Sequence, residues 1–428
     1  MILGIHLAKF ECFVYLFFYI FGLQLPVVRT SSLLLLVLLP IRFLFLRGGF
    51  DIAKRMFLHP YVVRLLGMYL FVMFYMILLT TMHLELDLTL LPTLINVMLH
   101  FIVGIFLVSL LVYRKYTLDE VLSLLIGIFV VQSVIQIMAF FSPSLQGFIQ
   151  LFQGNSTIEV ASKFAGRRGL ALAGTVFFGL AILYGLIFLF FIKRCVDREK
   201  FTYRDVVCGI ILFIGGFFTG RTFFVGVGVA GLYFLCSSFS FLYKVKTLCR
   251  IFLFIVLGAM VIWMSLTDSL QYKVYNLLLY AFEFLFNYLE KGTLETTSSS
   301  TLFDDMYFSI SLPTFFVGDG LYTGYDGAYY LHTDAGYMRN ILYIGVGGFV
   351  LLILLDVFLV FGRQVLREGK MLKFGLFILF YLGIIHVKGE VFGYSVMLHC
   401  FLFIYYLSYV FIEQRILYIH DQCHNSNL

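Results

Sequence analysis

Charge is what this chain most lacks. Asp, Glu, Lys and Arg make up 13% of its 428 residues, while 61% are apolar and the mean hydropathy is +0.99. A soluble domain carries about 25% charged residues. That shortfall excludes an ordinary soluble protein and leaves no room for a sizeable soluble domain beside the apolar runs. None of the seven cysteines (Cys12, Cys195, Cys208, Cys236, Cys249, Cys400, Cys423) belongs to a CxxC pair. A disulfide framework and a thiolate metal centre are therefore not expected. No His, Cys and carboxylate cluster has metal-ligand spacing, and no Gly-rich nucleotide loop follows a strand, which argues against an ATPase. Internal repeats, coiled coils and low-complexity tails are missing as well. The first apolar run lacks a small-residue cleavage site and reads as a retained span.

What is present is a succession of apolar runs, near 8–24, 31–46, 65–82, 91–113, 121–141, 170–192, 206–219, 222–242, 251–267, 341–361, 374–388 and 391–412. At about 17–25 residues per crossing these predict roughly twelve transmembrane helices, an all-α polytopic protein with one integral membrane domain over residues 1–428. With the N-terminus placed in the cytoplasm, the cytoplasmic loops collect 21 of the 30 Lys and Arg, against nine outside. This positive-inside bias predicts that both termini are cytoplasmic. The formal charge of +6 then reflects orientation and gives no reason to expect nucleic acid. Two external loops are enlarged, the third over 142–169 and the fifth over 268–340. The front of the fifth, from Asp268, has apolar residues at helical spacing, as in a helix lying on the membrane surface.

The stretch Pro313 to Gly348, PTFFVGDGLYTGYDGAYYLHTDAGYMRNILYIGVGG, is a polar island in this apolar chain. It sets Asp319, Asp326, His332, Asp334 and Arg339 among six tyrosines and many glycines. Ionisable residues and glycines next to a span point to a site where backbone approaches a ligand. His332 and Asp334 are two apart. One of them could take a proton from a hydroxyl, or both could bond within their own loop, with Asp334 capping the coming helix.

Basic residues on the external side, where they are disfavoured, are the other candidates. Arg167 and Arg168 end the third external loop in KFAGRRGLALAG, and Arg221 sits in FFTGRTFF between two apolar runs. A guanidinium in that setting needs an anionic partner, and its planar fork matches phosphate oxygens bidentately. Lys388 and Glu390, with His386 nearby, interrupt the last apolar stretch. They are either a mutually neutralising pair at a turn or part of the site. HLELD (His83 to Asp87) reads as a small acidic external loop.

These features resemble the Wzy-type O-antigen and capsular polysaccharide polymerases, whose architecture is related to the O-antigen ligases and the GT-C membrane glycosyltransferases. The resemblance rests on the topology, on Arg168 followed by Gly179 in an Arg-ten-residues-Gly pattern, on Arg221 at a span junction, and on GDGLYTGYDGAYYLHTDAGYMRNILYIGVGG before a span. A second Arg-ten-Gly copy is missing from the fifth loop, and His332-Thr333-Asp334 stands where the ligases tend to have His-Asn. The resemblance implies a GT-C-like enzyme of the bacterial inner membrane with a periplasmic site. It would transfer a glycan from undecaprenyl pyrophosphate to the non-reducing end of another lipid-linked repeat unit, with no metal or cofactor. Arg167, Arg168, Arg221 and Arg339 would hold the pyrophosphate, and His332 or Asp334 would be the acceptor base. Tyr322, Tyr337, Lys388 and Glu390 would line the glycan. A chain-length regulator and a flippase of the same pathway would be its partners. The neighbouring readings are an O-antigen ligase and, outside catalysis, a lipid-linked oligosaccharide flippase.

Overall fold

The computed structural model describes residues 2–25, 30–162, 168–293, 295–363 and 365–413. The first half of the chain forms α1 (Ile2–Phe21), α2 (Ser31–Leu44), α3 (Gly49–Phe57), α4 (Pro60–Met82), α5 (Leu91–Tyr113), α6 (Leu118–Phe141), α7 (Pro143–Gln150), α8 (Asn155–Ser162), α9 (Phe178–Asp197) and α10 (Tyr203–Thr219). The second half forms α11 (Phe223–Leu235), α12 (Phe241–Ser265), α13 (Asp268–Ala281), α14 (Glu283–Lys291), α15 (Thr297–Ser300), α16 (Leu312–Val317), α17 (Gly336–Val360), α18 (Gly369–His386) and α19 (Val396–Ser408). Among the described residues there is no strand, only an isolated bridge between Thr323 and Tyr329. Six of the helices (α4, α5, α6, α9, α17 and α18) are long and apolar enough to cross a membrane. The chain is an all-α multi-pass membrane protein.

Local chemistry sets where these helices start. Thr117 accepts from Glu120 N while the Glu120 carboxylate accepts from Thr117 N, and Thr202 and Asp205 repeat the arrangement at α10. Pro60, Pro143 and Pro313 stand in first turns, where no amide hydrogen is needed.

Each apolar run of the sequence coincides with a helix, but two boundaries differ from expectation. The run from 170 does not become helical until Phe178. Residues 168–177 are irregular and partly buried, and Gln153 Nε2 donates to the carbonyls of Gly169 at 2.9 Å and Ala171 at 2.8 Å. Irregular backbone is tolerated at such a place because protein groups replace the missing helical bonds. The run 222–242 stops early, since α11 ends at Leu235 and Ser240 caps a new helix by accepting from Tyr243 N. The expected surface helix in the fifth loop breaks at Phe282 into α13 and α14.

The core forms where α19 packs on α5 and α9. Phe101 and Phe403 stack there at 4.3 Å, and Phe190 meets Phe374, Phe401 and Tyr405 edge-on. Gly185 and Gly226 lie too close for a methyl group at Gly226, so α9 and α11 cross nearly backbone to backbone. Within this core His399 Nε2 lies 2.6 Å from Asp356 Oδ1, both fully buried, and Gly393 N donates to Asp356 Oδ2 at 3.2 Å. The pair joins α17, α19 and the segment before α19.

Removing one member of that pair strands the other in a low-dielectric interior. His399→Leu should therefore lower stability by about 3–5 kcal/mol, with most of it recovered in the Asp356→Leu/His399→Leu double variant. Thermal unfolding of the purified protein in detergent checks both.

Candidate functional site

The site begins with a break in a helix. α17 is interrupted at Gly345, whose φ of +64° and ψ of 176° leave the helical region. A break inside an apolar helix frees carbonyls that lipid cannot satisfy. Here the GDG segment after α16 satisfies them, with Asp319 N donating to Leu342 O at 2.6 Å and Gly320 N to Tyr343 O at 3.2 Å. Gly318, at φ +77°, passes so close to Gly345 that a side chain would collide with its backbone. Gly318 is thus needed for backbone docking.

From this anchor the chain turns back on itself. Gly324 N donates to Ala328 O at 2.8 Å and Tyr330 N to Tyr322 O at 3.1 Å. Asp87 holds the turn from outside, since its Oδ2 accepts from Tyr322 N at 2.7 Å and Thr323 N at 2.9 Å. Tyr343 donates to the Asp87 carbonyl at 2.7 Å. Burial alone would raise the Asp87 carboxyl, but bonds from Thr89, Thr323 and Tyr322 outweigh it and hold it below the usual aspartate range. The HLELD loop is therefore a clamp on the site, which its composition did not indicate.

The clamped loop delivers two rings to Arg339, whose guanidinium carbon lies 4.1 Å from the Tyr322 centroid and 3.6 Å from that of Tyr329. Arg339 Nη1 also lies 3.3 Å from Glu390 Oε2 and 3.8 Å from Asp334 Oδ1. The Arg339 side chain is 6% exposed and that of Glu390 8%. Tyr322 donates to the same Glu390 oxygen at 2.5 Å. Burial pushes the Glu390 carboxyl up to about 7, against the pull of Arg339 and the Tyr322 bond. Glu390 Oε1 and Arg339 Nε and Nη2 are buried without a hydrogen-bond partner among the described residues. Buried polar atoms of this kind mark a place that a ligand or water would complete.

A second group of charges lies nearby. Arg168 Nη2 donates to Thr219 O at 3.0 Å, lying across Gly220, where any side chain would displace it. Arg221 Nη1 pairs with Glu283 Oε2 at 2.5 Å, and Phe282 packs on Phe217 and Phe224. The α13–α14 junction thus covers the turn between α10 and α11. Burial holds the Lys388 amine below the usual lysine range. The positive charges of Arg221 and Arg168 push it the same way, and Asp334 opposes them. Among the described residues that amine has no hydrogen-bond or ion-pair partner. Lys388 therefore feels two arginines from two other segments, a concentration of like charge that an anion would relieve.

The structure brings together Arg168, Arg221, Arg339, Asp334, Tyr322, Lys388 and Glu390. Lys388 and Glu390 do not neutralise each other, because Glu390 faces Arg339. Asp334 makes no side-chain cap on α17. His332 is 75% exposed and its Nε2 lies 3.4 Å from Asp326 Oδ2. Both His332 and Leu331 have positive φ, +55° and +51°, an uncommon backbone for side-chain-bearing residues. Tyr337 donates to Gly383 O at 2.9 Å and meets the His386 ring edge-on, so its hydroxyl joins α17 to α18. Arg167 lies outside the described residues. Asp87, Glu283 and His386 were not singled out as site residues. His386 Nδ1 accepts from Val391 N at 3.1 Å and Phe392 N at 3.4 Å, and its Nε2 lies 2.9 Å from the Asn340 amide. Together these contacts fix the segment carrying Lys388 and Glu390 against α17.

Two outcomes follow from this geometry. Asp87→Ala removes a charged acceptor shared by several donors, a loss of about 1.5–3 kcal/mol per bond of this type, and should speed amide hydrogen exchange across 320–332. A carboxyl raised in the folded state binds its proton more tightly there. Stability should therefore fall as pH climbs from the usual glutamate range to about 7. Thermal unfolding against pH should lose that component in Glu390→Gln.

No protein-family model, curated protein or solved structure matches this chain.

Proposed function

We propose that this chain is a membrane glycosyltransferase of the O-antigen polymerase type, working on polyprenyl-pyrophosphate-linked glycans at the periplasmic face of the bacterial inner membrane. The observation that carries this reading is that Arg168, lying across the turn between α10 and α11, and Arg221 in that turn both act on Lys388 from a third segment between apolar helices. Such a cluster suits a multiply charged phosphate group, and its position suits a donor whose tail stays in the bilayer.

In the proposed reaction an acceptor sugar hydroxyl attacks the anomeric carbon of the donor. The new glycosidic C–O bond forms as the bond to pyrophosphate breaks, and the electron pair leaves with the pyrophosphate. Arg168, Arg221 and Lys388 stabilise the charge gathering on that leaving group. The hydroxyl proton passes to Asp334, which lies within electrostatic reach of both Lys388 and Arg339, while His332 faces Asp326. Arg339, caged by Tyr322 and Tyr329 and paired with Glu390, serves as a positioning residue here and does not grip the phosphate directly. The tyrosine faces offer a platform for sugar rings. A flippase would need charges lining a cavity. Asp356 and His399, the fully buried ionisable pair, are instead turned into each other.

Purified protein given a synthetic undecaprenyl-pyrophosphate repeat unit should produce a ladder of polymers. Arg221→Ala and Arg168→Ala should slow it by about 10²–10³, the loss typical of removing one oxyanion donor. Asp334→Asn should cost about 10²–10⁴, the range for a general base, while His332→Ala keeps most activity. Full polymer length with Arg221→Ala at normal protein level would overturn the assignment. In cells, loss of the gene should leave single repeat units on lipid A-core, whereas loss of a ligase would leave none.

A further inference from the structure

At the other end of α4 from the Asp87 loop, α3 lies beside α5 and leaves a groove between them. On α3 the residues Phe50, Ala53, Lys54 and Phe57 follow helical spacing and form one stripe. Ile102 and Phe106 of α5 form the opposing wall, and the open groove has a volume of about 400 Å³. Phe50 packs edge-on against Phe43 and Phe106, which closes the groove on one flank. The lining is almost wholly apolar, and its one charge is the Lys54 amine.

The electrostatics around the groove are uneven. Arg42 and Arg114 are both taken up by Glu11, at 2.6 Å and 3.2 Å. Arg47, Lys54 and Arg55 have no carboxylate partner among the described residues, although Asp51 lies on the same short helix. Phe57 and Leu58 remain exposed next to them. An amphipathic helix with an apolar stripe beside unpaired cations is suited to the boundary between acyl chains and headgroups. There each basic residue attracts anionic lipid.

We propose that the α3–α5 groove is a binding site for an anionic phospholipid, one acyl chain lying between Phe50, Phe57, Ile102 and Phe106 with the lipid phosphate at Lys54. The site is independent of the reaction assigned above. A zwitterionic lipid would place its own positive group near Lys54 and Arg55, so the groove selects for net negative charge. Arg47 and Arg55 add attraction on either side without lining the chain.

Native mass spectrometry of the full chain in detergent tests this, with phosphatidylglycerol and phosphatidylcholine of identical acyl chains in competition. The wild type should retain the first bound phosphatidylglycerol over phosphatidylcholine by about fivefold, the factor that one basic residue contributes at an anionic surface. Lys54→Gln should cut that preference by about the same factor while still binding both lipids. Ile102→Trp, which fills the groove from a partly exposed position, should release both. Should Ile102→Trp fail to fold, the exposed Lys54→Gln substitution decides alone. Equal retention of the two lipids by the wild type, or undiminished preference in Lys54→Gln, would overturn the proposal. So would a groove covered by a second copy of the chain, seen as a dimer that carries neither lipid.

Discussion

Backbone that leaves a helix inside a membrane protein has to find new hydrogen-bond partners in the protein itself, because lipid offers none. The break in α17 at Gly345 imposes this requirement, and the amides of Asp319 and Gly320 meet it. Everything in the candidate site follows from that docking. It holds the 318–332 loop on the span, places Tyr322 and Tyr329 over Arg339, and leaves Asp87 to clamp the turn from the α4–α5 side. At Gly318 and Gly345 glycine is required because backbone approaches backbone.

The polar groups of the protein fall into two kinds. Asp356 with His399, and Arg339 with Glu390 and its two rings, largely satisfy one another in surroundings where an unpaired charge is costly. Lys388 differs: it feels the positive charges of Arg168 and Arg221, which are themselves held by Thr219 O and Glu283. Groups of the first kind fasten helices and loops. These cations lie near the carboxylate of Asp334, which acts on Lys388 and lies 3.8 Å from the Arg339 that Glu390 and the tyrosine rings hold. That adjacency of cations, carboxylates and tyrosine faces underlies the proposed glycosyl transfer.

Much of the fold was legible in the sequence because lipid imposes a length and a composition on every crossing. The run 91–113 became α5, and the run 121–141 became the body of α6. The run from 170 misled because small apolar residues satisfy a hydropathy criterion whether or not they are helical. Gln153, from another part of the chain, satisfies two of those carbonyls. Similarly, the apolar run across 222–242 hid the serines that divide α11 from α12.

By itself the sequence determined that this is a helical membrane protein, that charge is scarce, and that 313–348 is polar against an apolar background. Those properties are sums over local composition, so they survive without knowledge of contacts. Partner choice is different, because an ion pair or a clamp depends on distances between residues far apart in the chain. Only the tertiary structure could decide that Arg339 would be caged while Arg168, Arg221 and Lys388 gathered, that His332 would face Asp326, and that Asp87 would hold the loop together.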